Sequence, residues 1–224
     1  MSPTRSTMAL TWQINPMGDA ALLAEAAGAD HEAANLVALG AAAALEADPP
    51  PWLRAAVPAI ASLLLCFDPL AAPPVAVEAR LRAALAGAGG HTAEPGRLVT
   101  IPVAWGGADG PDLDEAALAL ELGPAELVAT LCAGPRRVMM IGFAPGYPYI
   151  GPLPPGLHLP RRATPRAAVP PGSVAIAAGL AGIYPARLPG GWHLLGRTEL
   201  RLFDPAADPP ALLAPGDRVQ FVEG

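Results

Sequence analysis

Three arginines stand close together in the carboxy-terminal half of the sequence, at Arg161, Arg162 and Arg166. Each carries a permanent charge on a planar guanidinium, which can hold a carboxylate or phosphoryl oxygen through two parallel hydrogen bonds. The rest of the chain is acidic, with a formal net charge of -6. This concentration of cations therefore predicts a binding or interface role, and the alternatives are solvated surface charge or an ion pair with an acidic partner domain.

Other polar and aromatic side chains accompany the arginines along this half of the chain. Further candidates for binding a substrate or for an interface are Tyr147, Ser173, Tyr184, Trp192, His193, Arg197 and Thr198. Trp192 follows a glycine pair and could wall a pocket, but filling a core is its expected role. Ser173 has no base and orienting acid at a recognisable spacing, so we predict a turn or strand-start residue there. Catalytic residues are left unassigned.

The residue types that are missing limit the chemistry. All 14 basic residues are arginine, which excludes Schiff-base catalysis, a Ser–Lys amidase centre and a P-loop. The four histidines stand far apart and form no His-x-x-x-His pair, so no metal site is predicted. Cys66 and Cys132 lie in apolar surroundings and are predicted to be buried thiols rather than a disulfide.

Charge and hydropathy exclude two classes of partner. A net charge of -6 and a pI near 5.1 disfavour nucleic acids and membrane surfaces, because both are bound through clustered cations. The apolar run 57–67 is too short to cross a bilayer. The first residues lack the apolar core of a signal peptide, so a cytoplasmic location is expected.

The first half of the sequence alternates strand-like and helix-like stretches. Predicted strands cover residues 10–15, 20–26, 59–67 and 97–105, and predicted helices cover residues 30–46 and 75–86. This order indicates a small ferredoxin-like α+β layer, with two helices on one face of a sheet. Residues 112–122 and 124–132 predict two short helices, whose acidic side chains exclude use as a DNA-binding helix-turn-helix.

The residue pattern of the second half is typical of a β-barrel. Short apolar runs broken by Gly and Pro predict strands at residues 138–141, 173–178, 182–184, 192–195, 199–203 and 218–222. Nine prolines lie between Pro145 and Pro171. Because strong strand candidates flank them, we expect these prolines to rigidify a long loop rather than to form a disordered linker.

Five ordered blocks of this half resemble one known family. They are residues 142–151 (GFAPGYPYIG), 160–166 (PRRATPR), 169–176 (VPPGSVAI), 182–185 (GIYP) and 189–204 (PGGWHLLGRTELRLFD). The blocks are similar to those of the allophanate hydrolase subunit 1 family, which includes the 5-oxoprolinase subunit PxpB, the kinase inhibitor KipI and part of the urea carboxylase carboxyltransferase domain. Weaker similarity lies at residues 18–20, 57–59, 62–64, 110–113 and 215–219.

The resemblance implies an α+β fold of two domains. An amino-terminal α/β domain is expected over residues 1–90, and a cyclophilin-like β-barrel is expected over residues 91–224. This sequence departs from the family at Leu180, Ala181 and Leu188, where polar residues are common. Losing those hydrogen-bonding side chains would alter a small-molecule site.

The resemblance also implies a function. We expect a subunit of an ATP-dependent 5-oxoprolinase, inactive alone, which opens 5-oxoproline to glutamate. The expected partners are a larger allophanate hydrolase subunit 2-type protein, similar to PxpC or KipA, and a PxpA-like subunit, and the assembled complex would use ATP and Mg. The alternatives are a KipI-like inhibitor of a sensor histidine kinase and a subunit of a biotin-dependent urea or amide carboxyltransferase.

Overall fold

The computed structural model describes residues 10–28, 30–88 and 96–224. The chain divides into two compact units, residues 1–94 and 95–224. The domain boundary that we predict after residue 90 lies outside the described residues, as does His91. Each unit has a hydrophobic core of its own.

The amino-terminal unit is a four-stranded antiparallel sheet covered by two helices. Its elements are β1 (Thr11–Pro16), β2 (Ala21–Ala27), α1 (His31–Ala47), β3 (Leu53–Pro58), β4 (Ser62–Phe67) and α2 (Pro74–Ala88). The strand order is β1-β2-β4-β3. Alternate residues of the central strands, Leu22 and Ala24 in β2 and Leu63 and Leu65 in β4, are buried because side chains along a strand point to opposite faces. The Asp30 carboxylate caps α1 by accepting from the Ala33 amide at 3.0 Å.

The prediction of a strand over residues 59–67 is confirmed for residues 62–67 and wrong for residues 59–61, which form the turn of a hairpin. The strand β4 begins only at Ser62, and β3 precedes it as an antiparallel partner. The amide of Ala59 donates to the carbonyl of Ser62 at 2.8 Å, which closes the turn between them. The continuous apolar run hides this turn from a periodicity argument, because it contains no Gly, Asn or Asp.

The carboxy-terminal unit is a closed barrel. Its elements are β5 (Leu98–Trp105), α3 (Leu113–Ala119), α4 (Pro124–Cys132), β6 (Arg136–Ile141), β7 (Pro148–Gly151), β8 (Arg166–Val169), β9 (Ser173–Ala177), β10 (Leu180–Ile183), β11 (Leu188–Gly190), β12 (His193–Arg197) and β13 (Arg218–Glu223). Seven strands close in the order β10-β7-β6-β13-β5-β12-β9, and β8 and β11 form a separate two-stranded ribbon. The predicted α+β class and β-barrel are therefore confirmed.

The two short helices pack on the barrel through their apolar faces. Leu113, Ala116, Leu127 and Leu131 belong to the same buried cluster as the barrel strands. The helix α3 ends at Ala119, earlier than the predicted residue 122, and Glu121 adopts a φ of 57° just beyond it. These helices thus complete a core rather than present a recognition surface.

The structure differs from the prediction at three strands that contain or adjoin proline and at one predicted strand that does not form. The strands β7, β8 and β11 were not predicted, because each has a proline within or beside it. Conversely, residues 199–203 form no strand, apart from an isolated bridge between Phe203 and Ala211. Thr198 ends the ladder there: its amide donates to the Gly172 carbonyl at 3.0 Å, and its hydroxyl accepts from the Leu200 amide at 3.3 Å.

Both cysteines are free thiols rather than a disulfide, as predicted, but they are only half-buried. Burial raises the pKa of the Cys132 thiol, and the charge of Glu223 adds to this effect. At neutral pH that thiol is therefore protonated and a weak nucleophile.

Candidate functional site

The sequence-predicted tyrosines and tryptophan meet on the outer side of the barrel wall. We call Phe143, Tyr147, Tyr149, Tyr184 and Trp192 the aromatic cluster. Its ring centroids lie 5.1 Å apart for Tyr147 and Tyr184, 5.2 Å for Tyr147 and Tyr149, and 5.7 Å for Tyr149 and Trp192. Edge-to-face and tilted contacts of this kind stabilise aromatic packing beyond the burial of area. Small residues of β9, Ala175 and Ala177, pack beneath the rings.

Two buried tyrosine hydroxyls form the centre of the aromatic cluster. Burial raises the pKa of both Tyr147 and Tyr184, and the interaction between the two hydroxyls adds to the rise at Tyr147. The nearby Arg161 charge acts in the opposite direction but does not reverse the shift. Both hydroxyls therefore stay protonated at neutral pH, which makes them unsuited to act as general bases.

Two glycines leave space for those hydroxyls. A Cβ atom at Gly182 would lie 2.4 Å from the Tyr147 hydroxyl oxygen, and one at Gly190 would lie 2.0 Å from that of Tyr184. Both distances are far below van der Waals contact. The glycine of the GIYP block and the first glycine of the PGGW block are thus explained by close approach of an aromatic side chain.

We call residues 160–166, which carry Arg161, Arg162 and Arg166, the arginine loop. Asp112, which could not be recognised from the sequence, binds this loop to the barrel. Its Oδ1 accepts from Arg166 Nη2 at 2.7 Å and from Arg162 Nη1 at 3.0 Å, and its Oδ2 accepts from the Leu194 amide at 2.7 Å. Only 3% of Asp112 is exposed. Burial alone would raise the pKa of this carboxyl, but the hydrogen bonds of Arg166 and Leu194 and the charges of both arginines hold it below its usual value.

The position of Asp112 follows from a close docking of residues 110–113 on β12. A Cβ atom at Gly110 would lie only 1.9 Å from the Leu195 carbonyl oxygen, so this position excludes every side chain. The Asp112 amide then donates to the Leu194 carbonyl at 3.0 Å. Together with the bond from Leu194 to the carboxylate, this pairing fixes both the backbone and the side chain of Asp112.

Two clefts in the barrel unit meet at Arg197. The smaller cleft, of about 180 Å³, is lined among others by Asp109, Arg166, Ser173 and Arg197. The larger cleft, of about 350 Å³, is lined by Pro171, Gly172, Pro185, Arg197, Glu199, Leu200 and Arg201. Arg197 itself donates to Glu199 at 3.0 Å and lies 3.6 Å from Asp109. The smaller cleft therefore brings together three of the sequence-predicted residues.

The remaining predicted residues lie apart from the clefts. Arg161 is exposed, and the buried His193 places its Nε2 3.0 Å from the Pro160 carbonyl. That contact makes Nε2 the donor and positions the loop at 160–162, as does the bond from the Arg162 amide to the Gly191 carbonyl at 2.7 Å. Thr198 forms hydrogen bonds with Gly172 and Leu200 in the turn that follows β12. His193 and Thr198 thus have backbone partners that define structural roles.

The described residues offer binding groups rather than a catalytic set. Within residues 10–28, 30–88 and 96–224, no group of three or more His, Cys, Asp or Glu side chains could hold a metal ion. In the same part of the chain, no helix has the length and apolar character needed to cross a membrane. What the arrangement provides is a buried carboxylate that orients two guanidinium groups, which suits recognition of an oxygen anion.

Residues 12–213 match the family described as the carboxyltransferase domain, subdomain C and D. The chain belongs to this family. A 5-oxoprolinase subunit of Bacillus subtilis (strain 168) is 36% identical over 225 residues, covering 96% of this chain and 94% of that protein. A protein of Escherichia coli O157:H7, also named as a 5-oxoprolinase subunit, is 51% identical over 126 residues, covering 56% of this chain and 58% of that protein.

Two solved structures share the architecture. The protein TTHA0988 superposes with a TM-score of 0.79 at 39% identity over 92% of this chain, which spans 40% of that chain. The urea carboxylase of Kluyveromyces lactis superposes with a TM-score of 0.75 at 20% identity, covering all of this chain and 22% of that one. At that identity the likeness shows the fold alone. The predicted cyclophilin-like barrel agrees with it.

The departures from the family have structural consequences that the sequence alone did not locate. Leu180 and Leu188 pack against the aromatic cluster, and Ala181 is fully buried in the barrel core. The signal for Asp112 was present in the family-like run 110–113, but only the structure shows that an acidic residue there meets arginines about 50 residues later. Tyr149 lies within the family-like block at residues 142–151, but its type alone did not indicate that it joins the aromatic cluster.

Proposed function

We propose that this chain is the PxpB-type subunit of a 5-oxoprolinase, a hydrolase whose assembled complex opens the five-membered lactam of 5-oxoproline to give glutamate. The observation that carries this proposal is the similarity to the Bacillus subtilis 5-oxoprolinase subunit, which extends over 96% of this chain and 94% of that protein. The Escherichia coli and Haemophilus influenzae relatives, at 51% and 46% identity, are named as the same 5-oxoprolinase subunit.

The reaction needs more than this chain supplies. Opening the lactam adds water across the C–N bond, so that the carbonyl becomes a carboxylate and the ring nitrogen becomes an amine. The complex would use ATP and Mg for this step, and we assign neither to a site in this chain. The role of this subunit would be to bind and orient an anionic group, since the described residues provide a carboxylate-held arginine pair.

The naming of these relatives as one subunit of an enzyme supports the presence of other subunits. We propose a larger subunit of the allophanate hydrolase subunit 2 type and a PxpA-like subunit as partners. The chain of TTHA0988 is much longer than this chain, which spans 40% of it. Fusion of this module to a partner subunit in one polypeptide would produce such a longer chain.

Co-expression with both partner subunits tests the proposal. We expect co-elution on size-exclusion chromatography at micromolar concentration, and glutamate from 5-oxoproline only when ATP, Mg and all subunits are present. The isolated chain should leave 5-oxoproline intact. Separate elution of the subunits, or glutamate production by the isolated chain at the rate of the mixture, would contradict it.

We favour this function over the kinase-inhibitor and carboxyltransferase alternatives. The relatives that share 36–51% identity are named as 5-oxoprolinase subunits. The likeness to urea carboxylase, at 20% identity, concerns the fold alone.

A further inference from the structure

We propose that the smaller cleft binds a molecule that carries a carboxylate beside an amide N–H, the chemical class of 5-oxoproline, with Arg166 and Arg197 on the carboxylate and Asp109 on the N–H. This inference rests on the proposed function and names the substrate site within this chain. The cleft lies between residues 108–111, the strand β8 and the adjoining ends of β9 and β12. All of these segments belong to the barrel unit.

Arg166 is the fixed donor of this site. Its Nη2 is engaged by the buried Asp112, whereas its Nη1 is buried without a hydrogen-bond partner among the described residues. A buried guanidinium N–H that lacks an acceptor costs free energy. Since Arg166 lines the cleft, a ligand oxygen bound beside it would supply that acceptor. Because Asp112 also accepts from Arg162 and Leu194, it cannot turn to meet Nη1 without giving up other bonds. Asp112 is thus a positioning residue for Arg166.

Arg197 is the adjustable donor at the rim. Its side chain is 40% exposed, and its bonded partner Glu199 is 90% exposed. Ion pairs at such exposure contribute little to stability, so Arg197 can leave Glu199 for a ligand carboxylate at small cost. The Ser173 hydroxyl lines the same cleft and takes part in no hydrogen bond among the described residues, which adds a third donor.

Asp109 gives the cleft its selectivity. It lies 3.6 Å from Arg197 and is 42% exposed, so its carboxylate can accept a hydrogen bond from a ligand. A simple anion such as phosphate would meet this carboxylate and be repelled, whereas a molecule with an N–H next to its carboxylate satisfies both ends. The cleft volume of about 180 Å³ is smaller than pockets for drug-sized ligands, roughly 300 to 1,000 Å³. A single five-membered ring is the appropriate scale.

Titration of the isolated 224-residue chain, observed by NMR at the arginine Nε–H signals, tests the site. The probes are 5-oxoproline, cyclopentanecarboxylate, which lacks the N–H, 2-pyrrolidinone, which lacks the carboxylate, and inorganic phosphate. We expect 5-oxoproline to shift the Arg166 and Arg197 signals at the lowest concentration. Arg166→Ala should weaken its binding about 30-fold, since a charged partner is lost. Asp109→Asn should narrow the preference for 5-oxoproline over cyclopentanecarboxylate.

Two further variants keep the result interpretable. Arg197→Ala removes a donor that has no buried partner, so it tests the site even if Arg166→Ala impairs folding. Arg187→Ala removes an exposed arginine outside both clefts and should bind 5-oxoproline as the unaltered chain does. Equal binding of phosphate and 5-oxoproline, absence of shifts at Arg166 and Arg197 at saturating 5-oxoproline, or unchanged binding in Arg197→Ala would each overturn the proposal.

The binding result and the function can fail separately. If the isolated chain binds 5-oxoproline through these arginines but the assembled complex does not open it, the proposed function is wrong and the site stands. If the complex opens 5-oxoproline with full efficiency when Arg166 or Arg197 is replaced, the function stands and the site is wrong.

Discussion

The aromatic cluster and the smaller cleft are built from neighbouring parts of the same sequence blocks, yet their polar groups are treated differently. In the aromatic cluster the hydroxyls of Tyr147 and Tyr184 interact with each other and fill the space that Gly182 and Gly190 leave. At the cleft Arg166 keeps one buried N–H without a partner among the described residues. Native interiors pair nearly all buried polar groups, so an unpartnered N–H on a residue that lines a cleft supports the ligand site that we propose. The contrast separates a scaffold from a binding surface.

The largest expected effect comes from breaking the cleft in the assembled complex. Arg166→Ala should lower kcat/KM by roughly 30-fold or more, because a desolvated anion loses a partner at a cost of about 2–5 kcal/mol. Arg166→Lys should recover little of the activity that Arg166→Ala loses, since an ammonium cannot form the two parallel hydrogen bonds of a planar guanidinium. Arg187→Ala is the matched control, and co-elution must be intact in all three variants. Full activity of Arg166→Ala in an intact complex would reduce Arg166 to a structural residue.

Asp112 holds Arg162 and Arg166 in place, and replacing it should have the next largest effect. Asp112→Asn keeps the shape but leaves Arg166 without its charge partner and Arg162 with only the exposed Glu115. The free energy of unfolding at neutral pH should therefore fall by about 2–3 kcal/mol. The folded-state pKa of Asp112 lies below its value of about 3.9 in the unfolded chain. Its stabilisation is therefore complete above about pH 3.9 and is lost as pH falls through the lower folded pKa.

Urea unfolding of both proteins across this pH range provides the measurement. The difference between the unaltered chain and Asp112→Asn should shrink on acidification. A difference that stays constant down to the lowest pH at which both fold would show that the lost contribution was packing, not charge.

The aromatic cluster should be sensitive to a single added methyl group. Gly190→Ala places its Cβ against the Tyr184 hydroxyl, so we expect a loss of about 1–3 kcal/mol in stability from overpacking. Adding Tyr184→Phe, which removes the obstructing oxygen, should recover part of this loss. Gly191→Ala is the matched control, because the nearest atoms to its Cβ would be 3.6 Å away, an ordinary contact. Equal destabilisation by both alanines would contradict the proposed crowding.

The same contrast explains what could be predicted from sequence. Periodic apolar patterns located the helices and most barrel strands, because burial repeats with the geometry of each element. The strands β7, β8 and β11 carry or adjoin prolines, so propensity argued against them although tertiary pairing forms them. The arginines and aromatic residues could be named from their types. Asp112 could not, since its role depends on contacts with residues 50 and 54 positions later.

The smallest expected effect is at Arg161, the exposed member of the arginine loop. No ion pair links it to the described residues, and it lines neither cleft. Arg161→Ala should therefore change the free energy of unfolding by no more than about 0.5 kcal/mol, as expected for an exposed surface position. If the activation free energy changes by no more than the same amount, kcat/KM of the complex should fall by about twofold at most. Urea unfolding and steady-state kinetics give both values, with co-elution as the control for assembly. A tenfold loss of activity with the complex intact would place Arg161 on the ligand beside the tyrosine hydroxyls, and the binding surface would then extend from the cleft onto the aromatic cluster.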